Sequence, residues 1–354
     1  FVNESGKIEV QKFNGTSQWN SIGSPITPSG TPSFIQLAVN ADADLFVAYL
    51  DSTGHRGHIL KSNGGTSPWV ELGSGTGNSH IAKMKMKIRP STKAPVLAWI
   101  GNTDPSSSTL TKSYYQAWNT ADVAFDSPIS IFSEALRELD IAFDGSSNWL
   151  AMGVQTNTDY QLLNRYYNNR NTYRSTPGIT STSAESIQLQ FANNKFYLAF
   201  RNRNNGDKTG FPQIYSATNN AGSGVNWSTN GNIHSGFGRM SSNVSMVLNA
   251  SGNPVAVFDE SNRATNSQVH AYRFDGASWN VLGENELPYF KNLFVMSKKY
   301  YLRGHQPSIA ITSNGDVFIA MRALEQPASA STVLRNKNNG PLVMKYLGDN
   351  WENP

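Results

Sequence analysis

Apolar and polar positions alternate along this chain in short runs, and the runs recur in the same order about every fifty residues. A run such as PSFIQLAVN is followed by a turn and then by an apolar segment ending in a small residue. The small residues are Ala48 in LFVAYL, Ala98 in VLAWI, Ala151 in WLAMGV, Ala199 in FYLAF, Ala256 in PVAVF and Ala320 in VFIAM. Period-two alternation bounded by Gly, Asn, Asp and Ser predicts strands. A second run follows each of these and leads through a Gly- or Asn-containing turn into tryptophan. It reaches Trp19, Trp69, Trp118, Trp227, Trp279 and Trp351, with Tyr173 in that place in one repeat.

Four strands in a period of about 40 to 50 residues predict an all-β chain folded as a β-propeller of four-stranded blades. The physical reason is burial: one such sheet cannot cover both of its faces, and blades packed side by side bury them against each other. The reading takes 1–354 as a single domain. Residues 1–23 form a partial blade, and the repeats span 30–75, 79–125, 134–176, 183–229, 238–283 and 305–352, with an insertion at 284–304. Six repeats and a partial one give seven blades if further strands complete the first, and six if the N-terminal strands close onto the last repeat. Seven is the expectation. Small alanines fit where blades crowd, and the tryptophans fill the wider wedge between them.

Composition narrows the chemistry. Hydrophobic residues make up 38% and charged residues 15%, the balance being turn-forming Asn, Ser, Thr and Gly. The chain has no cysteine, which removes disulfides, thiolate metal sites and cysteine nucleophiles. With a polar, Asn-rich surface this suits a secreted or surface-exposed bacterial protein. No stretch approaches the length of a membrane-spanning helix. The net charge of +4 is spread along the chain, and its densest patch is KMKMKIRP at 83–90. Alternation puts Lys83, Lys85 and Lys87 on one strand face and Met84, Met86 and Ile88 on the other. That face is either a basic groove for an acidic polymer or a polar surface beside a solvated channel. Nucleic acid would require a larger patch with interleaved aromatics.

In a propeller, the loops entering the innermost strands and leaving the second strands meet at one face. Those positions hold His80, Arg137, Glu185, Arg239 and His305 on one side, and Asp51, Asn102, Gln155, Arg201 with Arg203, Asp259 with Glu260, and Arg322 on the other. From these, His80, Arg137, Glu185, Arg201, Arg239, Asp259 and Arg322 are the candidate ligand-binding residues. Arginine grips carboxylates or sulfates bidentately, and histidine moves protons near neutral pH. The segment KKYYLRGHQPS adds Tyr301, Arg303 and His305, the candidate catalytic set. A lyase acting on a uronic acid needs a cation for the carboxylate, a base for the C5 proton and an acid for the leaving oxygen, and these three residue types supply them. Paired carboxylates for hydrolysis, about 5 to 10 Å apart, are harder to place. No cofactor is required. Asp42-Ala-Asp44 and Asp207 sit in turns that either hold calcium or simply form the turn, and no metal site is assigned. His55 and His58 in GHRGH would need a third ligand to hold a metal.

With RFDGASWNVLG and KFNGTSQWNSIG as its clearest matches, the repeat resembles the BNR-like and Trp-Gly propeller repeats of secreted bacterial proteins. YSATNNAGSGVNWS is similar to a degenerate sialidase Asp-box turn, with Asn in place of the Asp. The resemblance implies a fold shared by lectins, adhesins, sialidases and polysaccharide lyases. Sialidases, which are similar in blade pattern, carry several intact Asp boxes, and here the boxes fail. Two readings follow: a carbohydrate-binding or adhesion-type propeller that holds a glycan or an extracellular protein, and a polysaccharide lyase acting on an acidic, uronate-containing glycan. If the protein is an enzyme, the lyase is preferred to a glycoside hydrolase. Mouth residues that differ from repeat to repeat favour one unique site over many equal ones.

Overall fold

The computed structural model describes residues 1–15, 18–53, 55–62, 68–73, 76, 80–104, 112–156, 161–167, 172–175, 179, 184–203, 210–220, 224–233, 240–262, 266–283, 300–327, 341–348 and 351–352. Among them every regular element is a strand. The chain forms two compact units, 1–176 and 177–354.

The first unit opens with a short hairpin, β1 (Gln11–Phe13) and β2 (Trp19–Ser21). Blade 1 follows with β3 (Pro32–Val39), β4 (Leu45–Asp51), β5 (Arg56–Ser62) and β6 (Val70–Glu71). Blade 2 comprises β7 (His80–Ile88), β8 (Pro95–Asn102), β9 (Lys112–Asn119) and two short pieces that both pair with β9, β10 (Ala124–Phe125) and β11 (Ile129–Ser130). Blade 3 is β12 (Leu136–Phe143), β13 (Trp149–Gln155), β14 (Leu162–Tyr167) and β15 (Thr172–Ser175). In the second unit, blade 4 holds β16 (Ala184–Ala192), β17 (Lys195–Arg203), β18 (Gly210–Asn220) and β19 (Gly224–Asn232). Blade 5 holds β20 (Met240–Leu248), β21 (Pro254–Asn262), β22 (Asn266–Phe274) and β23 (Trp279–Val281). Blade 6 holds β24 (Tyr300–Ile311), β25 (Val317–Pro327), β26 (Pro341–Tyr346) and β27 (Trp351–Glu352). All pairings are antiparallel, so each blade is a meander, and the fold is an all-β propeller of six blades.

Six blades replace the seven expected from sequence. The N-terminal segment forms only a two-stranded sheet without inner strands, while the last repeat supplies all four of its own. The inserted segment is also shorter than expected: 300–304 belong to β24, whose residues pair with β25 from Tyr300↔Pro327 inward, and 284–299 lie outside the described residues.

Every strand-end alanine of the repeat sits opposite one residue of the inner strand. The pairs are Gln36↔Ala48, Lys85↔Ala98, Ile141↔Ala151, Gln188↔Ala199, Met246↔Ala256 and Ser308↔Ala320. Ala48, Ala151, Ala199 and Ala256 are 0% exposed and Ala98 is 1% exposed, because the next blade packs on that spot and leaves no room for a larger side chain. Each inner strand also breaks register on the N-terminal side of that alanine-facing residue, at Ser33/Gln36, Ile81/Lys83, Leu136/Glu138, Glu185/Gln188, Met240/Val244 and His305/Ser308. A bulge bends the strand and re-aims the extra side chain.

Apolar clusters sit between successive sheets. Ile8 and Ile26 pack with Val47, Tyr49 and Leu60 of blade 1; Phe46, Ala48 and Leu50 with Met84 and Trp99 of blade 2; and Ala98 and Ile100 with Leu139 and Ile141 of blade 3. In the second unit, Tyr197 and Ile214 pack with Met246 and Phe258, and Val255 and Val257 with Ile319 and Met321. Three outer tryptophans stitch these interfaces. Trp69 donates its indole N–H to the Ile22 carbonyl at 3.1 Å, Trp279 to Asn230 at 2.9 Å and Trp351 to Leu282 at 3.0 Å. Trp118 departs from the repeat: it lies on the third strand, β9, edge-on to Phe125 of β10.

Candidate functional site

The antiparallel pairing of each first and second strand carries the sequence-selected residues to one end of their blade, here termed the mouth. Opposite pairs at the mouths are Pro32↔Asp51, His80↔Asn102, Leu136↔Gln155, Glu185↔Arg201, Met240↔Glu260 and His305↔Arg322. These residues stand on strands and not on loops, because alternating polar positions let the hairpin arms continue past the apolar core.

In the first unit the mouths of blades 1 and 2 meet at a pair of imidazoles. The β4–β5 turn brings His55 against His80 at the start of β7, with ring centroids 4.3 Å apart and tilted by 50°. The His55 carbonyl accepts a hydrogen bond from the Ile81 amide at 2.8 Å, which fixes the turn to the first residues of β7. His55 holds the left-handed backbone conformation, φ 51°, where histidine is tolerated at some cost. Its ring is exposed, whereas both ring nitrogens of His80 are sealed from solvent with no hydrogen-bond partner among the described residues. Gly101 lets β8 approach this spot, since a Cβ there would lie 2.2 Å from the His80 carbonyl oxygen.

Beside this pair, Asp51 organises the blade 1 mouth. Burial acts to raise its pKa, but hydrogen bonds from the Ser29 hydroxyl and the Thr53 amide, with the charge of His58, outweigh that and hold the carboxyl below its ordinary range. His58 places Nδ1 2.7 Å from the Glu71 carboxylate and Nε2 3.8 Å from Asp51, and its ring stacks on Tyr49 at 4.9 Å. Burial, aided by Glu71 and Asp51, pushes the Tyr49 phenol up to about 12. Histidines 55 and 58 therefore turn to different partners and do not share a ligand position.

Arg137 is the residue bulged out of register at the mouth of blade 3. In the second unit, Glu185 and Arg201 form an ion pair at 3.6 Å with both side chains largely covered. Asp259 is 0% exposed, so it is not a group that a ligand reaches; β21 runs on through Asn262 and leaves Asp259 inside the blade. Tyr301, Arg303 and His305 lie on β24 and Arg322 on β25, with side chains outside the described residues, as is the whole of Arg239.

The lysine face of β7 is half-buried and largely neutralised. Lys83 pairs with Glu138 at 2.7 Å and Lys87 with Asp140 at 3.4 Å, both on the inner strand of blade 3. Met84 and Met86 are buried on the opposite face. The pairing partners were not readable in sequence because ELD at 138–140 lies a whole repeat away. The Asp42-Ala-Asp44 turn is likewise tied down: Asp42 pairs with Lys93 at 2.6 Å and Asp44 with Lys61 at 2.8 Å, and the hydrogen bond from Lys61 lowers the Asp44 pKa. Among the described residues no three His, Asp or Glu side chains group to hold a metal ion, and no helix is long and apolar enough to cross a membrane. Asp207 lies outside the described residues.

No family model matches the sequence, including any for the BNR-like or Trp-Gly repeat, and no curated protein matches it. Solved structures do share the fold. A family 25 polysaccharide lyase, an ulvan lyase bound to -[GlcA(1-4)Rha3S]-, superposes with a TM-score of 0.51 at 10% identity over 88% of this chain and 89% of that one. A second structure of ulvan lyase from that family gives 0.50 at 10% identity over the same shares. An exo-β-1,3-galactanase from Phanerochaete chrysosporium covers 95% of both chains at 12% identity with a TM-score of 0.45. At these identities the likeness is one of fold, a β-propeller resembling those of carbohydrate-active enzymes.

Proposed function

We propose that this protein is a secreted or surface-exposed propeller that acts on an acidic, uronate-containing polysaccharide and cleaves it by β-elimination. The observation that carries the reading is the His55–His80 pair at the mouths of blades 1 and 2. An exposed imidazole backed by a second one with both nitrogens unengaged is equipped to take and give a proton. One imidazole takes the C5 proton of the uronate, the electron pair forms the C4–C5 double bond, the C4–O bond breaks, and the leaving oxygen receives a proton from an acid. The bulged Arg137 offers a cation for the uronate carboxylate. Support also comes from the fold likeness to a lyase of a uronate polymer. Paired-carboxylate hydrolysis is disfavoured, since Asp51 is held ionised by internal hydrogen bonds and Glu185 is engaged by Arg201. Tyr301, Arg303 and His305 on β24 offer the same residue types in the second unit and are the alternative catalytic set.

Absorbance near 235 nm, the signature of an unsaturated uronate, tests this on a panel of acidic polysaccharides. A rise is expected, reduced about 10²- to 10⁴-fold by His55→Ala or His80→Ala, the range for a lost acid–base group. Loss in His305→Ala with retention in the other two variants would move the site to β24. Silence across the panel together with binding to the same polymers would overturn cleavage and leave a carbohydrate-binding propeller.

A further inference from the structure

We infer that Lys85, at the middle of β7, is an anion-binding subsite that grips a carboxylate or sulfate of the polymer; this rests on the ligand being an acidic glycan. Opposite the strand-end alanines stand Gln36, Lys85, Ile141, Gln188, Met246 and Ser308, so Lys85 is the one charged residue in a position repeated six times.

The two glutamines show what this position does when it serves structure. Gln36 donates its amide N–H to the Met84 carbonyl at 2.7 Å and accepts from the Met86 amide at 2.8 Å. Gln188 accepts from the Met246 amide at 2.5 Å. Gln36 thus clamps the inner strand of the next blade on both sides of its own equivalent, Lys85, and Gln188 clamps its equivalent, Met246, directly. Lys85 occupies the same place facing blade 3, yet its three N–H donors have no partner among the described residues. Its neighbours on that face are satisfied, Lys83 by Glu138 and Lys87 by Asp140. Three ammonium groups therefore face two carboxylates, and the unmatched charge is the central, half-buried one.

Its setting is also rigid. The Gln36 bonds pin the backbone on both sides of Lys85, and the flanking ion pairs hold the side chains on either side. An ammonium held half-buried among neutralised pairs is a pre-organised anion site, since much of the ordering and desolvation is complete before a ligand arrives. It lies five residues along β7 from His80, roughly 16 Å at the rise of a strand, so a polymer lying along this strand would reach Lys85 and the exposed His55 that packs on His80.

The test reads binding, not cleavage. Protein with ¹³C-labelled lysine is titrated with oligogalacturonate, which carries carboxylates, and with a sulfated oligosaccharide free of uronate; Lys85→Met assigns the Lys85 resonance. The expected result is a shift of that resonance, an affinity about tenfold weaker in Lys85→Met, retention in Lys85→Arg, and no change in Lys12→Met on the exposed hairpin. The difference should shrink as NaCl rises to about 0.5 M, through screening. The oligosaccharide that moves Lys85 identifies the anion. An unmoved resonance with equal affinity in Lys85→Met overturns the inference even if the polymer is cleaved, whereas a response without absorbance at 235 nm sustains it and removes the lyase.

Discussion

At the scale of single residues, covered polar groups set how the protein responds to pH. Tyr115 is 5% exposed, its hydroxyl has no partner among the described residues, and burial pushes its phenol up to about 12, with Asp126 and Tyr167 adding and Arg89 opposing. Tyr49 reaches about 12 in the same way. The neutral phenol is the form favoured by folding. This contribution is complete below the ordinary value of 10.0 and is lost as pH climbs toward 12. Melting temperature should therefore fall between pH 10 and 12, and less steeply in a Tyr49→Phe/Tyr115→Phe double variant; parallel curves would contradict it. At neutral pH Tyr115→Phe should be neutral or slightly stabilising, because it removes a buried hydroxyl that makes no bond. The tyrosines were visible in YYQAWN and LFVAYL, but burial of the hydroxyls was not, since period-two alternation assigns a face and not a depth.

At the scale of the element, the blades share one arrangement: a bulged inner strand in all six, a sealed alanine on the second strand in blades 1 to 5, and in blades 1, 5 and 6 an outer tryptophan that reaches back to the preceding sheet. Ala199 is 0% exposed and packs with Tyr197, Ile214 and Met246. Ala199→Leu should cost about 1–3 kcal/mol by overpacking, read from urea denaturation, whereas Leu at the exposed Lys12 should cost little. Alanine spacing alone located these positions in the sequence. The bulges were not legible: a bulge is a mismatch between two strands, and nothing in PSFIQLAVN or HIAKMKMKI marks where the partner falls out of step. The sequence places Arg137 at a blade mouth, and only strand pairing shows it to be the bulged residue. Seven blades were expected because KFNGTSQWNSIG looks like the outer half of a repeat, as it is, but without inner strands it forms a hairpin on blade 1 and not a blade.

At the scale of the molecule, stability is built from contacts between neighbouring blades within each unit. Trp69 serves the first unit and Trp351 the second, and they share no partners. Trp69→Phe and Trp351→Phe should each lose an indole hydrogen bond, about 1 kcal/mol, and the double variant should be additive within about 0.5 kcal/mol; a larger coupling energy would show that the two sites communicate. What the sequence determined by itself was what repeats: the all-β class, the blade-by-blade order of strands and the small residues opposite each inner strand, because a period states the same local constraint six times; Trp118 on the third strand shows where one repeat departs from it. Only the tertiary structure decided what occurs once. It set the six blades, the acids that neutralise Lys83 and Lys87, the meeting of His55 with His80, and the isolation of Lys85. These depend on which blade lies beside which, and on side chains about 25 to 55 residues apart in sequence whose pairing no local pattern encodes.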